Sequence, residues 1–170
     1  SSHKEGKLSF SKTVTFNLDE YIGLEPNHNQ SYRQYMKKKL FDHIDIDQNK
    51  TFIPECFDNN FDLACSHYEN EINKHGGIGL QLLGIGSNGH IGFNEPTSSL
   101  QSRTRVKTLT KNTLSKNARF FESHENQPSL AITMGIGTIM EAKNILLLGL
   151  GNHKSKAVAD VIEGPLSAYC

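Results

Sequence analysis

A glycine-rich segment directly after an apolar run is the feature that most constrains the fold of this chain. Residues 80–83 are typical of a short buried strand, and residues 84–96 follow with repeated glycines, His90 and Glu95. In an open α/β sheet, the loop that leaves the carboxyl end of a strand is where ligands bind. Glycine lets the backbone approach a ligand or adopt positive φ. The segment therefore predicts an α/β sheet with a ligand site at this loop.

Short apolar segments that predict strands alternate along the chain with segments whose apolar residues have helical spacing. Residues 13–18 are short, β-branched and apolar, which predicts a strand that ends at Asp19. Further strands are predicted at residues 104–110 and 130–134, and residues 144–150 form the clearest buried strand.

Helices are predicted between these strands. Ser31 is a good N-cap for a helix over residues 32–40, and an apolar stripe from Phe61 to Ile72 predicts a second helix. Residues 113–121 and 153–163 also have helical spacing. Alternating strands and helices imply a Rossmann-like α/β fold, a mostly parallel sheet with helices on both faces.

Composition narrows the class of protein. The 170 residues are 36% hydrophobic and 21% charged, which fits one globular domain over residues 1–170. Eighteen Lys and Arg balance 18 Asp and Glu, so the formal net charge is zero. The chain has no excess of positive charge that would indicate nucleic acid or a membrane as partner. With no bilayer-length apolar run and no signal-peptide core, we expect a cytoplasmic protein. Cys56, Cys65 and Cys170 match no zinc or redox spacing and are interpreted as structural.

Asp19, His90 and Glu95 are the candidates for acid–base chemistry. Asp19 ends the first predicted strand, and the glycine-rich loop ends another. If these strands are neighbours in a parallel sheet, the three side chains converge in one crevice. A lone strand-end acid is more often solvated and a lone histidine more often structural. Their combination in this setting favours a catalytic site.

Two basic residues are candidates for binding a phosphate. Lys154 begins the last predicted helix, where unpaired backbone N–H groups favour an anion. Arg119 lies near the end of a predicted helix, where ordinary surface charge is the simpler interpretation. Residues 98–108 concentrate hydroxyl and basic groups, which is typical of a second anion site or of a polar edge strand.

Four segments strongly resemble the glucosamine-6-phosphate deaminase (glucosamine-6-phosphate isomerase) family: residues 16–24, 84–96, 102–110 and 117–121. The resemblance extends over nearly the whole chain. It implies that glucosamine 6-phosphate and water become fructose 6-phosphate and ammonia, as in amino-sugar catabolism and N-acetylglucosamine utilisation. It also implies a hydrolase of the aldose–ketose isomerase type with no metal or organic cofactor.

The resemblance assigns a role to each candidate. His90 would open the sugar ring, oriented by Glu95 and Asn88, and Asp19 would move a proton between C2 and C1. Arg119 and Lys154 match phosphate-binding positions, which replaces the surface-charge interpretation of Arg119. In allosteric members, the residues that bind N-acetylglucosamine 6-phosphate between subunits of a hexamer match Ser98, Arg105, Lys107 and Thr108. A homo-oligomer with this activator is therefore expected, although other members lack the regulation.

Two departures from the family pattern stand out. Position 88 is Asn where many members have Asp, and an amide accepts a hydrogen bond but carries no charge. The family's leading strand with its phosphate loop, and the end of the family's chain, have no counterpart here. We therefore expect a chain truncated at both ends, with poor or no activity by itself.

Two other functions compete with the deaminase. The 6-phosphogluconolactonases share the fold and a related Gly-x-Asp-Gly-His turn, but Asp19-Glu20-Tyr21 and Asn94-Glu95-Pro96 favour the deaminase. A sugar-phosphate-sensing module would need phosphate and hydroxyl contacts only. The joint presence of Asp19, His90 and Glu95 argues against that module.

Overall fold

The computed structural model describes residues 2–55, 60–121 and 127–168. The strands are β1 (Thr15–Phe16), β2 (Asp19–Tyr21), β3 (Thr51–Phe52), β4 (Gln81–Gly84), β5 (Arg105–Thr108), β6 (Leu130–Thr133) and β7 (Ile145–Leu148). The α-helices are α1 (Tyr32–Lys39), α2 (Phe61–Lys74), α3 (Lys111–Asn117), α4 (Ile136–Met140) and α5 (Ser155–Glu163), and 3-10 turns cover Phe41–His43, Gln48–Lys50, Ala118–Phe120 and Asn152–Lys154. Within these three ranges, no helix is long and apolar enough to cross a bilayer.

The strands pair in both directions. β1 pairs with β3 and β4 pairs with β7, both in parallel, which confirms the α/β class with parallel strands. β2, β6 and β5 form an antiparallel sheet in that order, with Asp19 opposite Thr133. Strand direction was not readable from the sequence because side chains alternate with the same period in parallel and antiparallel strands.

The first predicted strand is divided between two sheets. Residues 13–18 were expected to form one strand ending at Asp19, but β1 contains only Thr15 and Phe16. The Asn17 N–H still donates to the carbonyl of Phe52 in β3, at 2.9 Å. One residue later, the Leu18 carbonyl accepts from the N–H of Met134, which follows β6, at 2.8 Å. The chain thus changes partner from β3 to β6, and Asp19 begins an antiparallel strand instead of ending a parallel one.

The main core forms where α2 packs on the strands. Its most buried members are Tyr68 and Ile72 on α2 with Leu83, Met134 and Ile139, each at most 5% exposed. The predicted stripe on α2 is confirmed, and Cys65 on the same helix is buried. Cys56 and Cys170, also interpreted as structural, lie outside the described residues.

The opposite face of the β4–β7 sheet is open, and the prediction that residues 80–83 and 144–150 are buried was wrong for most of these residues. In residues 80–83 only Gln81 and Leu83 are buried, and in residues 144–150 all are exposed except the half-buried Leu147. Leu83 is 2% exposed, but its neighbour Leu82 is 58% exposed and Leu146, which pairs with Leu82, is 48% exposed. A groove of 620 Å³ separates β4 from β1. Two residues that line this groove have a buried side-chain oxygen: Thr15 Oγ1 and Gln81 Oε1. Neither oxygen has a hydrogen-bond partner in the described parts of the chain.

A buried carboxylate holds the start of α1 against β2. Ser31 caps the helix as predicted, with its hydroxyl accepting the Gln34 N–H at 3.1 Å. Glu20, which is 7% exposed, accepts the backbone N–H groups of Tyr21, Tyr32 and Arg33 at 2.8, 3.0 and 2.9 Å. Burial raises the pKa of Glu20, and these three hydrogen bonds oppose the rise. The residue after Asp19 therefore fixes the helix that faces Asp19.

Glu20→Ala should destabilise the fold more than the loss of an ordinary cap. It leaves one buried and two partly buried N–H groups without their acceptor, so we expect a loss of about 2–3 kcal/mol in the free energy of unfolding. Ser31→Ala, at the same helix end, is the matched control and should cost about 1 kcal/mol. Urea unfolding of both variants measures the difference. Equal losses would show that Glu20 has no special structural role.

Candidate active site

The loop after β4 folds tightly around its own histidine. Gly86 N–H donates to the His90 carbonyl at 2.8 Å, and Gly89, with a φ of 87°, donates to the Gly86 carbonyl at 3.1 Å. A Cβ atom on Gly86 would overlap the His90 ring. Glycine at position 86 therefore lets the imidazole pack against the backbone, and a larger residue would displace the ring.

The end of β6 joins this loop to the strand that carries Asp19. Phe93 N–H donates to Thr133 Oγ1 at 3.3 Å, and the Asn94 side-chain amide donates to the Met134 carbonyl at 2.8 Å. Met134 N–H in turn donates to the carbonyl of Leu18, next to Asp19. At Gly92, where φ is 59°, a Cβ atom would lie 3.2 Å from Asp19 Oδ2. The Asp19 carboxyl therefore lies directly against the glycine-rich loop.

Asp19, His90 and Lys154 line one cavity of 340 Å³. The other lining residues are Tyr32, Gly84, Ile85, Gly86, Gly92, Phe93, Thr113 and Asn117. Lys154 is the last residue of the 3-10 turn that precedes α5. The structure thus brings together an acid, a histidine and a cation that are far apart in the sequence.

Asn88 connects Glu95 to His90. Its amide nitrogen donates to Glu95 Oε2 at 3.0 Å, and its amide oxygen lies 2.5 Å from His90 Nδ1. Because an amide oxygen only accepts, His90 Nδ1 must carry a proton, and the lone pair of the neutral ring is then on Nε2. Glu95 Oε2 is also 3.7 Å from His90 Nδ1. Asn88 therefore links the Glu95 carboxylate to the His90 ring through two hydrogen bonds and fixes the orientation of the ring, although Asn88 carries no charge.

The two carboxyl groups of the site have opposite pKa shifts. Burial raises the pKa of Asp19 to about 7, and the nearby charge of Glu20 adds to the effect. Burial also raises the pKa of Glu95, but the hydrogen bonds from Asn88 and Thr113 and the proximity of His90 outweigh it, so the net shift is downward. Asp19 can exchange a proton near neutral pH, while Glu95 stays charged.

The other predicted site residues do not line this cavity. Asn88 and Glu95 reach it through their contacts with His90, so Glu95 does not share the crevice with Asp19 as expected. Arg119 is exposed in the Ala118–Phe120 turn and is not a lining residue. Arg105 and Lys107 lie on one face of β5, and Arg105 lines a separate cavity of 780 Å³. Thr108 is exposed, and Ser98 Oγ is buried without a hydrogen-bond partner in the described ranges.

Three lining side chains were missed by reasoning from the sequence. Tyr32 stacks on Tyr21 with 5.2 Å between ring centroids and forms a wall beside Asp19. Thr113 and Asn117 reach the cavity from α3. The Thr110-x-x-Thr113 spacing could have predicted the N-cap that places them, because Thr110 accepts the Thr113 N–H at 3.2 Å. Tyr32 carries no comparable signal.

Comparison with known proteins identifies the family. A model of the glucosamine-6-phosphate isomerases/6-phosphogluconolactonase family matches residues 1–168. Over 169 residues the chain is 57% identical to the glucosamine-6-phosphate deaminase of Shewanella halifaxensis and 54% identical to that of Cellvibrio japonicus, covering 99% of this chain and 64% of each relative. The chain therefore belongs to this family, and it spans about 64% of the length of these curated relatives.

Solved structures agree with the fold. The chain matches a monomeric glucosamine-6-phosphate deaminase with a TM-score of 0.92 and 45% identity, covering 98% of this chain and 69% of that one. The 6-phosphogluconolactonase of Thermotoga maritima has a TM-score of 0.71 at 18% identity, covering 97% of this chain and 70% of that one. At that identity the second match shows a shared fold alone.

Asp19 should make stability depend on pH. Its pKa of about 7 in the folded state exceeds the unfolded value, so the folded state binds the proton more tightly and stability falls as pH rises from about 4 to about 7. Asp19→Asn removes this penalty. We expect a gain of about 1–2 kcal/mol at pH 8, since partial exposure reduces the full effect, and little change near pH 4.

Urea unfolding across this pH range measures the effect. Glu163→Gln, which neutralises an exposed acid at the end of α5, controls for the loss of one charge. If the difference in unfolding free energy between Asp19→Asn and the unsubstituted chain stayed the same from acidic to basic pH, the raised pKa of Asp19 would be contradicted.

Proposed function

We propose that a protein carrying this chain is a glucosamine-6-phosphate deaminase, which converts glucosamine 6-phosphate and water into fructose 6-phosphate and ammonia. The observation that carries the proposal is the shared cavity. Asp19, with a pKa of about 7, lies there against the loop that bears the Glu95–Asn88–His90 set, and Lys154 lines the same cavity. The names of the similar proteins support the choice of substrate.

His90 would open the sugar ring. Neutral His90 accepts the proton of the anomeric hydroxyl at Nε2 and returns a proton to the ring oxygen as the C1–O5 bond breaks. The ring is transiently positive during this transfer, and Glu95 Oε2, 3.7 Å from Nδ1, stabilises that charge. Asn88 keeps Nδ1 protonated, so Nε2 is the nitrogen that exchanges the proton.

Asp19 would carry out the isomerisation. As a carboxylate it removes the C2 proton of the open-chain aldehyde while the C1 oxygen takes a proton from water, which gives an enol-amine; the solvent regains that proton when water later adds to C2. The same carboxyl returns its proton to C1, and C2 becomes an iminium. Water then adds to C2 and ammonia leaves, which gives the ketone. A pKa of about 7 lets one group both take and return the proton.

The phosphate would be bound by the basic residues at the cavity. Lys154 lines the cavity and supplies one cation. Arg119 is proposed as a second phosphate ligand, because it follows the lining residue Asn117 by two positions and has a long flexible side chain. The scheme consists of proton transfers, ring opening, addition of water and loss of ammonia, and it assigns no role to a metal or organic cofactor. The net reaction is hydrolytic, while the step at C1 and C2 is that of an isomerase.

The regulatory part of the proposal is supported by the resemblance alone. Ser98, Arg105, Lys107 and Thr108 would bind N-acetylglucosamine 6-phosphate between subunits of a cytoplasmic homo-oligomer. The deaminase that matches with a TM-score of 0.92 is monomeric, so oligomerisation is not a requirement for a protein of this fold.

A chimera provides the direct test of activity. The chain would replace the matching segment of the Shewanella halifaxensis relative, and both the chimera and the 170-residue chain would be assayed for ammonia and fructose 6-phosphate. We expect activity in the chimera that Asp19→Asn abolishes, and little activity in the chain alone. Hydrolysis of 6-phosphogluconolactone by the chimera would favour the lactonase alternative. Binding of sugar phosphate without turnover would favour a sensing module.

His90→Gln in the chimera should lower kcat by about 10²- to 10⁴-fold, because proton transfer in ring opening is lost. Binding of 2-amino-2-deoxyglucitol 6-phosphate, which has no ring to open, should change by less than about threefold. Steady-state kinetics and calorimetry measure the two effects. Unchanged turnover of the cyclic substrate would exclude the ring-opening role.

A further inference from the structure

The two oxygens of Glu95 contact different parts of the molecule. Oε2 accepts from Asn88, which belongs to the same loop and orients His90. Oε1 accepts from Thr113 Oγ1 at 2.9 Å, and Thr113 lies in the first turn of α3. The carboxylate therefore bridges α3 to the histidine of the cavity.

Thr113 is the principal donor on the α3 side. The Thr110 hydroxyl lies 3.2 Å from Glu95 Oε1 and 3.0 Å from Thr113 Oγ1, so its single proton can serve only one of them. Thr110 also accepts the Thr113 backbone N–H as the N-cap of α3. Thr113 thus has its backbone held by Thr110 and its hydroxyl proton directed at Glu95.

The other end of α3 is also attached to the site. Asn117 donates from its side-chain amide to the Tyr21 hydroxyl at 2.8 Å, and both Thr113 and Asn117 line the cavity that contains Asp19 and His90. Both ends of α3 are therefore held by side-chain hydrogen bonds, and the one at its first turn is made to Glu95 of the acid–base set.

We propose that Thr113 is a positioning residue, which holds the Glu95 carboxylate so that Asn88 and His90 keep their orientation toward the cavity. This inference rests on the proposed function, since it concerns the same acid–base set. Thr113 acts through Glu95 and needs no contact with the reacting atoms. Thr110 supports it as the cap of α3.

The electrostatic consequence follows from the groups around Glu95. His90 is the titratable partner in its own loop, the N-cap and first turn of α3 contribute the two hydroxyls and the exposed Lys111, and Asp19 and Lys154 line the cavity beyond. Removal of the Thr113 hydroxyl leaves burial unchanged and deletes one of the hydrogen bonds that lower the pKa of Glu95. That pKa must then rise, and the negative charge beside His90 is lost at a higher pH.

Thr113→Val tests the inference in the chimera, because valine keeps the β-branched shape and removes the hydroxyl. We expect kcat to fall about tenfold with KM nearly unchanged, and the titration midpoint of the Glu95 carboxyl to move to higher pH. Thr113→Ser should restore both parameters to within about twofold. Ser115→Ala, at an exposed position of the same helix, is the control for general effects on α3 and should change neither.

A purely structural role for Thr113 would lower activity without moving the titration midpoint of Glu95, and that result would overturn the proposal. Titration of the Glu95 carboxyl ¹³C signal, assigned by comparison with Glu95→Gln, gives a readout that needs no turnover. The midpoint should rise in Thr113→Val and return in Thr113→Ser. A chimera without deaminase activity but with this shift would refute the proposed function and leave the contact established. An unchanged midpoint would refute the inference alone.

Discussion

The hydrogen bonds at the end of β6 are the interaction on which the site depends. Thr133 and Met134 are fully buried, and between them they accept from Phe93 and Asn94 and donate to the Leu18 carbonyl. Asp19 and His90 lie on segments about 70 positions apart in the chain, and this junction is what sets their separation. Buried backbone groups that are fully paired have no alternative partner in water, so the geometry is well determined.

The junction creates two different environments for acids, one at the cavity wall for Asp19 and one behind His90 for Glu95. Asp19 is packed against Gly92 with the buried Glu20 next to it in the chain, so desolvation and like charge favour its protonated form. Glu95 receives hydrogen bonds from Asn88 and Thr113 and lies beside His90, so its charged form is favoured. Separating two carboxyl groups in this way gives each a distinct role, one in proton transfer and the other as a fixed charge.

Local patterns predicted the helices better than the strands. Ser31 before α1 and the stripe that ends at Ile72 on α2 each depend on neighbours within a turn or two, which a sequence pattern contains. The split between β1 and β2 at Leu18, and the exposure of Leu82, depend on which distant strand or layer lies alongside. A run of apolar residues records a preference for burial but does not say whether both faces are covered.

The sequence by itself determined the α/β class, the family, and the acid, histidine and carboxylate types that the candidate chemistry needs, because these are carried by local periodicity and by contiguous motifs. Only the tertiary structure decided that Asp19 begins an antiparallel strand, that Asn88 sets the tautomer of His90, that Thr113 holds Glu95, and that Arg119 lies outside the cavity. The reason is physical: contacts and pKa values depend on distance and burial, which arise from long-range packing that no local pattern encodes.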